Sequence, residues 1–231
     1  MNTITFQDVY QTTSAAGQFK LGQRAATADG REWQYVKAAS ALGNSLVAIP
    51  DAVATSDLYS SSQDSQGRNV YLTRAANTLT VGQYEDGVGL VDAGTGVGQT
   101  FKIRTNNATT FTLYPETALA TALAVADSDL TYINMNLVDP AAVTSKIQMA
   151  QGIAQADFAA NDFGWLLTNG VGRVLAGAAL LTGTGFTTGD DTVGQVIRAV
   201  TATGPFDAQN LGYCIVAGAV DGGQLVMAIV R

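Results

Sequence analysis

Apolar and polar residues alternate in short runs along the whole chain, and glycine, asparagine and threonine punctuate them. Period-two alternation between turn residues predicts many short strands, and sustained 3.6-residue periodicity is almost absent. Residues 32–37 alternate cleanly, with Trp33 and Tyr35 among the apolar positions. Residues 46–49 form a second apolar run that Pro50 stops. Further strands are predicted at 69–73, 78–81, 87–91, 100–104, 110–114 and 130–137. The last block is the most strongly β, with runs at 163–168, 172–175, 179–181, 193–200, 211–217 and 224–230. Two stretches read differently. Residues 115–126 are Ala-rich with Pro115 placed for a first helical turn, and 145–160 are helix-compatible.

The spacing of these runs predicts an all-β protein. Its expected form is a β-barrel or sandwich built from amino- and carboxy-terminal blocks, with a small β domain inserted and an extended amino-terminal arm. Residues 1–30 are the arm: mostly polar, with isolated anchors at Ile4, Phe6, Val9, Tyr10 and Phe19. Residues 31–69 hold the first barrel strands and a Ser-, Asp- and Gln-rich exposed loop from 55 onward. Residues 70–140 are the insertion, and 141–231 complete the barrel. A weak echo supports joining the ends, because Trp33 and Trp165 each open an aromatic strand followed by small residues and a Leu-rich run.

Composition sharpens this picture. Of 231 residues, 47% are hydrophobic and only 13% charged, about half the usual charged share. Disorder needs low hydrophobicity with high charge, so the sparse charge points instead to a surface of Thr, Ser, Asn, Gln and Gly, or to one covered by a neighbour. The net charge is −7, and the basic residues are scattered, with only Lys146, Arg173, Arg198 and Arg231 beyond Thr105. A duplex binder needs a basic stripe, so no nucleic-acid partner is expected. No apolar run is long enough for a membrane span, and residues 1–6 lack the basic and apolar regions of a signal peptide. Synthesis in a reducing cytoplasm is therefore expected. The one cysteine, Cys214, lies in an apolar run and reads as a buried small hydrophobe.

Candidate chemistry is thin. There is no histidine, which removes Ser-His-Asp and Cys-His nucleophilic systems and the usual His metal ligands. The close acidic pairs, Asp127 with Asp129 and Asp190 with Asp191, read as solvated turn carboxylates. They offer neither a facing pair across a sugar nor the oxygen count of a calcium loop. The run 94–100 is glycine-rich, but Gln99 stands where a phosphate-binding loop needs lysine, and the residues that follow form a strand. No catalytic residue, cofactor or metal is therefore expected, and the chain reads as non-enzymatic.

Three stretches carry a resemblance. Leu21-Gly22-Gln23-Arg24 is followed by Asp29-Gly30 and then Tyr35-Val36-Lys37-Ala38. Tyr84-Glu85-Asp86-Gly87 precedes Gly94-Thr95-Gly96-Val97-Gly98-Gln99-Thr100-Phe101-Lys102-Ile103, and Phe163-Gly164-Trp165 precedes Gly170. These blocks resemble structural proteins of tailed-bacteriophage virions, of the head decoration or cement kind. The resemblance implies a location on the capsid surface of the virion. It implies the major capsid protein and neighbouring copies of the chain as partners, in a homo-oligomer such as a trimer. Residues 1–18 have no counterpart in the resemblance. The arm's spaced anchors Ile4, Phe6, Val9, Tyr10 and Phe19 are the candidate capsid or subunit contacts, since an arm can add a strand to a neighbour. Alternatives are a tail, neck or fibre-associated virion subunit and, from other classes, a glycan-binding β module or a β-fold glycan hydrolase.

Overall fold

The computed structural model describes residues 2–15, 18–50, 54–56, 59–74, 79–124, 128–140, 150–177, 179–188, 195–198, 211–216 and 223–230. The amino-terminal part supplies β1 (Asn2–Thr3), α1 (Phe6–Val9), β2 (Arg24–Ala26), β3 (Glu32–Ala38) and β4 (Val47–Pro50). The middle supplies β5 (Ala54–Ser56), β6 (Tyr59–Gln63), β7 (Asn69–Arg74), β8 (Val88–Ala93), β9 (Thr100–Asn106), β10 (Thr110–Leu113) and β11 (Asp129–Ile133). The last part supplies β12 (Leu137–Pro140), β13 (Gly152–Ala154), β14 (Phe163–Leu175), β15 (Gly185–Thr188), β16 (Val196–Arg198), β17 (Gly212–Val216) and β18 (Gly223–Ile229). The protein is all-β, as the alternation predicts. Among the described residues the longest helix is the four-residue α1.

The chain forms two compact units, 1–50 with 138–231 and 51–137. In the first unit, β3, β12, β4, β13 and β14 are successive neighbours, and β14 pairs back on β3. Five strands therefore close a barrel, which removes their open edges. The two aromatic strands lie side by side, with Trp165 opposite Tyr35 and Leu167 opposite Trp33. Trp33 and Trp165 are both fully buried, as their strand patterns predict. Pro50 and Val138, the residues at which the chain leaves and re-enters this unit, are paired neighbours on β4 and β12.

The stretch 163–175 is one strand of 13 residues rather than the two read from the sequence. Its first half belongs to the barrel. Between Leu167 and Asn169 the register shifts, and Gly170 takes φ +114°, a backbone region open mainly to glycine. Such a bulge bends a strand. Beyond it, residues 169–175 pair with β18, and the sheet continues through β17 and β15 to β16.

The second unit is a seven-stranded sheet in the order β5, β11, β8, β9, β10, β7, β6. β5 and β6 stand at opposite ends of this order, yet only two residues separate them in sequence. Three residue steps reach only about 11 Å, so the sheet must roll until its ends meet. The Tyr59 N–H at the start of β6 donates to the Ser128 carbonyl beside β11, at 3.1 Å. The roll encloses a core of Tyr59, Leu72, Ile103, Phe111, Leu130 and Tyr132 with their neighbours. The glycine run 94–100 is the β8–β9 hairpin turn, with Gly94, Gly96 and Gly98 all at positive φ.

Several expectations are corrected. Within 55–69, Tyr59–Gln63 is a strand rather than loop, because β6 pairs along β7 and Tyr59 is fully buried, while 64–68 form an exposed turn. Asp64 shapes the turn between them by accepting from the Gln66 and Arg68 N–H groups. The central unit therefore starts at 51 rather than 70 and ends at 137 rather than 140. Residues 79–81 form no strand, and 115–124 hold only a 3₁₀ turn at Pro115–Thr117. Residues 130–137 divide between β11 and the start of β12. Of the helix-compatible stretch 145–160, residues 145–149 lie outside the described residues, and Gly152–Ala154 is a barrel strand. Gly152 is needed there, because a Cβ would lie 2.7 Å from Leu166 Cβ and 2.9 Å from the Leu167 carbonyl oxygen.

The amino-terminal segment is not an extended arm. β1 pairs in parallel with β2, and α1 is closed by a reciprocal capping box between Thr5 and Asp8. Thr13 exchanges both backbone hydrogen bonds with Phe163, at 2.8 and 3.0 Å. The segment thus adds to its own sheet, which pairs its backbone groups without a neighbour's help.

Candidate interaction face

The five proposed contact residues divide into two sets. Ile4 and Val9 are buried in the first unit's own core, and Phe19 packs on it edge-to-face against Tyr35 and Trp165. Phe6 and Tyr10 remain 43% and 46% exposed. Arg31 holds this outer pair: its guanidinium lies 5.1 Å from the Phe6 ring centroid and donates to Tyr10 Oη at 3.0 Å. Asp29 fixes Arg31 in turn through a 2.7 Å ion pair. The Asp29 carboxyl sits below its ordinary pKa, chiefly because Thr27 donates to it.

Among the described residues no three His, Cys, Asp or Glu side chains gather as a metal site. Asp129 lies half-buried on β11, while Asp127, Asp190 and Asp191 fall outside the described residues. Cys214 is buried, and burial pushes its thiol pKa up, away from the reactive thiolate. An open depression of about 520 Å³ lies over β8, β9 and β11, lined mainly by Val88, Leu90, Phe101, Tyr132 and Ile133. It is apolar and gathers no facing carboxylates.

The notable surface is on the sheet that continues beyond the bulge in β14. Along β18, Val226 and Ala228 face the core, while Leu225 and Met227 point outward. Register places Met227 between Val171 of β14 and Tyr213 of β17, and Leu225 between Arg173 and Val216. Val171, Tyr213, Val216, Leu225 and Met227 are all substantially exposed, with Tyr213 at 49% and Val216 at 53%. An antiparallel sheet with one wet face should alternate apolar with polar. Here both faces are apolar, and Arg173 is the one charge in the two rows. Contiguous patches of this kind mark interaction sites, unlike single exposed apolar residues. The sequence carried the signal: residues 225–230 contain no polar side chain, so neither face of that strand is built for water.

No protein-family model matches the chain, and no curated protein matches it. Among solved structures, the chain is similar to the head fiber gp8.5 N base of bacteriophage phi29. Identity is 12%, the TM-score is 0.33, and the match covers 85% of this chain and 92% of that one. A likeness of that extent is too slight to bear on fold or role.

Proposed function

We propose that this chain is a non-enzymatic structural subunit of a tailed-bacteriophage virion, which decorates the capsid by binding the outer surface of the major capsid shell. The observation that carries the reading is the exposed apolar face of β14, β18 and β17, a surface suited to burial against another subunit. The sequence blocks at 21–38, 84–103 and 163–170, which resemble decoration proteins, support the virion assignment. The closed barrel and rolled sheet suit a part that bears load without turnover. On a shell, many copies bind at once, so a modest contact per subunit suffices for firm attachment. Neighbouring copies of the chain are further partners in this reading.

The test mixes purified chain with undecorated heads. Leu225→Asp with Met227→Asp should abolish co-sedimentation while leaving the melting temperature of the free chain unchanged. Full head binding by that variant overturns the assignment of the face. The copy number per virion, measured by mass spectrometry against the major capsid protein, tests the role itself. Hundreds of copies agree with decoration, and a dozen or fewer replace it with the tail, neck or fibre alternative.

A further inference from the structure

We propose that a small cavity beneath the amino-terminal segment is a permanent hydration site, where water accepts a hydrogen bond from Trp165 Nε1 and bonds Tyr35 Oη. Both side chains are almost wholly buried, with 1% and 2% of their surface exposed. Neither polar atom has a hydrogen-bond partner among the described residues. The contrast with the other tryptophan is direct, since Trp33 Nε1 donates to Thr27 Oγ1 at 3.2 Å. Buried polar groups are almost always satisfied, and those that lack a protein partner commonly bond an ordered water.

Trp165 and Tyr35 line one cavity of about 40 Å³, together with Asp8, Gln11, Thr12 and Thr13 of the amino-terminal segment. One water needs only about 10–15 Å³ of such volume, together with two to four polar partners. The chemistry selects the occupant. An indole N–H only donates, so the occupant must accept, and a cation cannot. An anion is disfavoured beside the Asp8 carboxylate, and an apolar group would leave both atoms unsatisfied. Water accepts from the indole and bonds the phenol.

The amino-terminal segment thus contributes Asp8, Gln11, Thr12 and Thr13 to the lining of a cavity that also holds two aromatic rings. Val9 is buried in the adjoining core, and Phe19 lines the cavity itself.

A crystal structure fine enough to show ordered solvent tests the site. The expected result is a density peak within hydrogen-bond distance of Trp165 Nε1 and Tyr35 Oη. In solution, the Trp165 indole proton, assigned by its loss in Trp165→Phe, should show a direct cross-relaxation peak to long-lived water. That peak should persist in Tyr35→Phe, which removes the phenol as a relay. If Trp165→Phe does not fold, Trp33→Phe assigns the remaining indole by elimination. An empty cavity, or a Gln11 or Gln18 side-chain oxygen seated on Nε1, overturns the proposal.

Discussion

Phe111 lies in the second unit's core, and its removal should destabilise that unit alone. The ring is fully buried, stacked on Tyr59 at 5.6 Å and edge-on to Tyr132 at 4.8 Å and Tyr84 at 5.8 Å. Truncating a buried phenylalanine to alanine typically costs about 3–5 kcal/mol, and lost ring–ring contacts push toward the upper end. A unit of this size has roughly 4–13 kcal/mol to lose, so Phe111→Ala consumes a large part of it. With a urea slope of about 1–1.5 kcal/mol/M, the midpoint should fall by about 2–5 M. The chain provides its own reporters. Both tryptophans lie in the first unit, whereas Tyr59, Tyr84 and Tyr132 lie in the second. Near-ultraviolet tyrosine dichroism should therefore report the weakened transition. Selectively excited tryptophan emission should stay native through it. A tryptophan signal that moves with the tyrosine signal at one shared midpoint would show a single cooperative block and refute the reasoning. An unmoved tyrosine transition would refute the burial.

Gly152→Ala should lower the first unit's stability by about 1–3 kcal/mol, because the new methyl meets Leu166 Cβ and the Leu167 carbonyl inside a closed barrel; tryptophan-monitored melts would register it. Tyr114 donates to Asp86 Oδ1 at 2.5 Å, and that bond pushes its pKa up to about 12. The folded state therefore holds this proton more tightly than the unfolded chain does. The resulting stabilisation is complete below about pH 10 and is lost as pH rises toward 12, and solvent screening at this partly exposed ring limits it to about 1 kcal/mol. Tyr114→Phe should flatten the alkaline limb of the second unit's stability curve. Deleting residues 1–18 should destabilise the first unit by several kcal/mol, about 1.5–3 for each buried anchor of Ile4 and Val9, with a lowered melting temperature as readout. Cys214 should resist a thiol reagent in the native protein and react only after unfolding; rapid native labelling would contradict its burial.

The β class and the tryptophan strands were legible because they depend on local alternation, and Trp33 and Trp165 sit where that pattern puts them. What failed depends on long-range pairing. The serine-rich residues 59–63 have little apolar content, and only their ladder with β7 makes them a strand. Ile4 and Val9 looked like anchors awaiting a neighbour, because nothing local shows that β2 and Phe163 stand ready to pair with the segment. Residues 163–168 and 172–175 read as two separate strands, with Gly170 between them. In the fold its unusual φ redirects a single one. The outward residues Leu225 and Met227 were readable as apolar but not as exposed, since a run without polar residues fits a doubly buried strand equally well.

The pairing of Pro50 with Val138 has a practical consequence. Opposed Cα atoms in an antiparallel ladder stand only about 4.5–5.5 Å apart. The points at which the chain leaves and re-enters the first unit therefore stand no farther apart than the ends of a hairpin turn. A short Asn-Gly linker could replace residues 51–137 and leave the β4–β12 ladder in register. The excised segment would have its two ends near enough to be joined head to tail as a circle. Sites of this kind tolerate exchange of whole cassettes, because the host feels only the spacing of the two splice points. The barrel is thus a chassis into which a different 51–137 could be grafted with no redesign of the β4–β12 ladder.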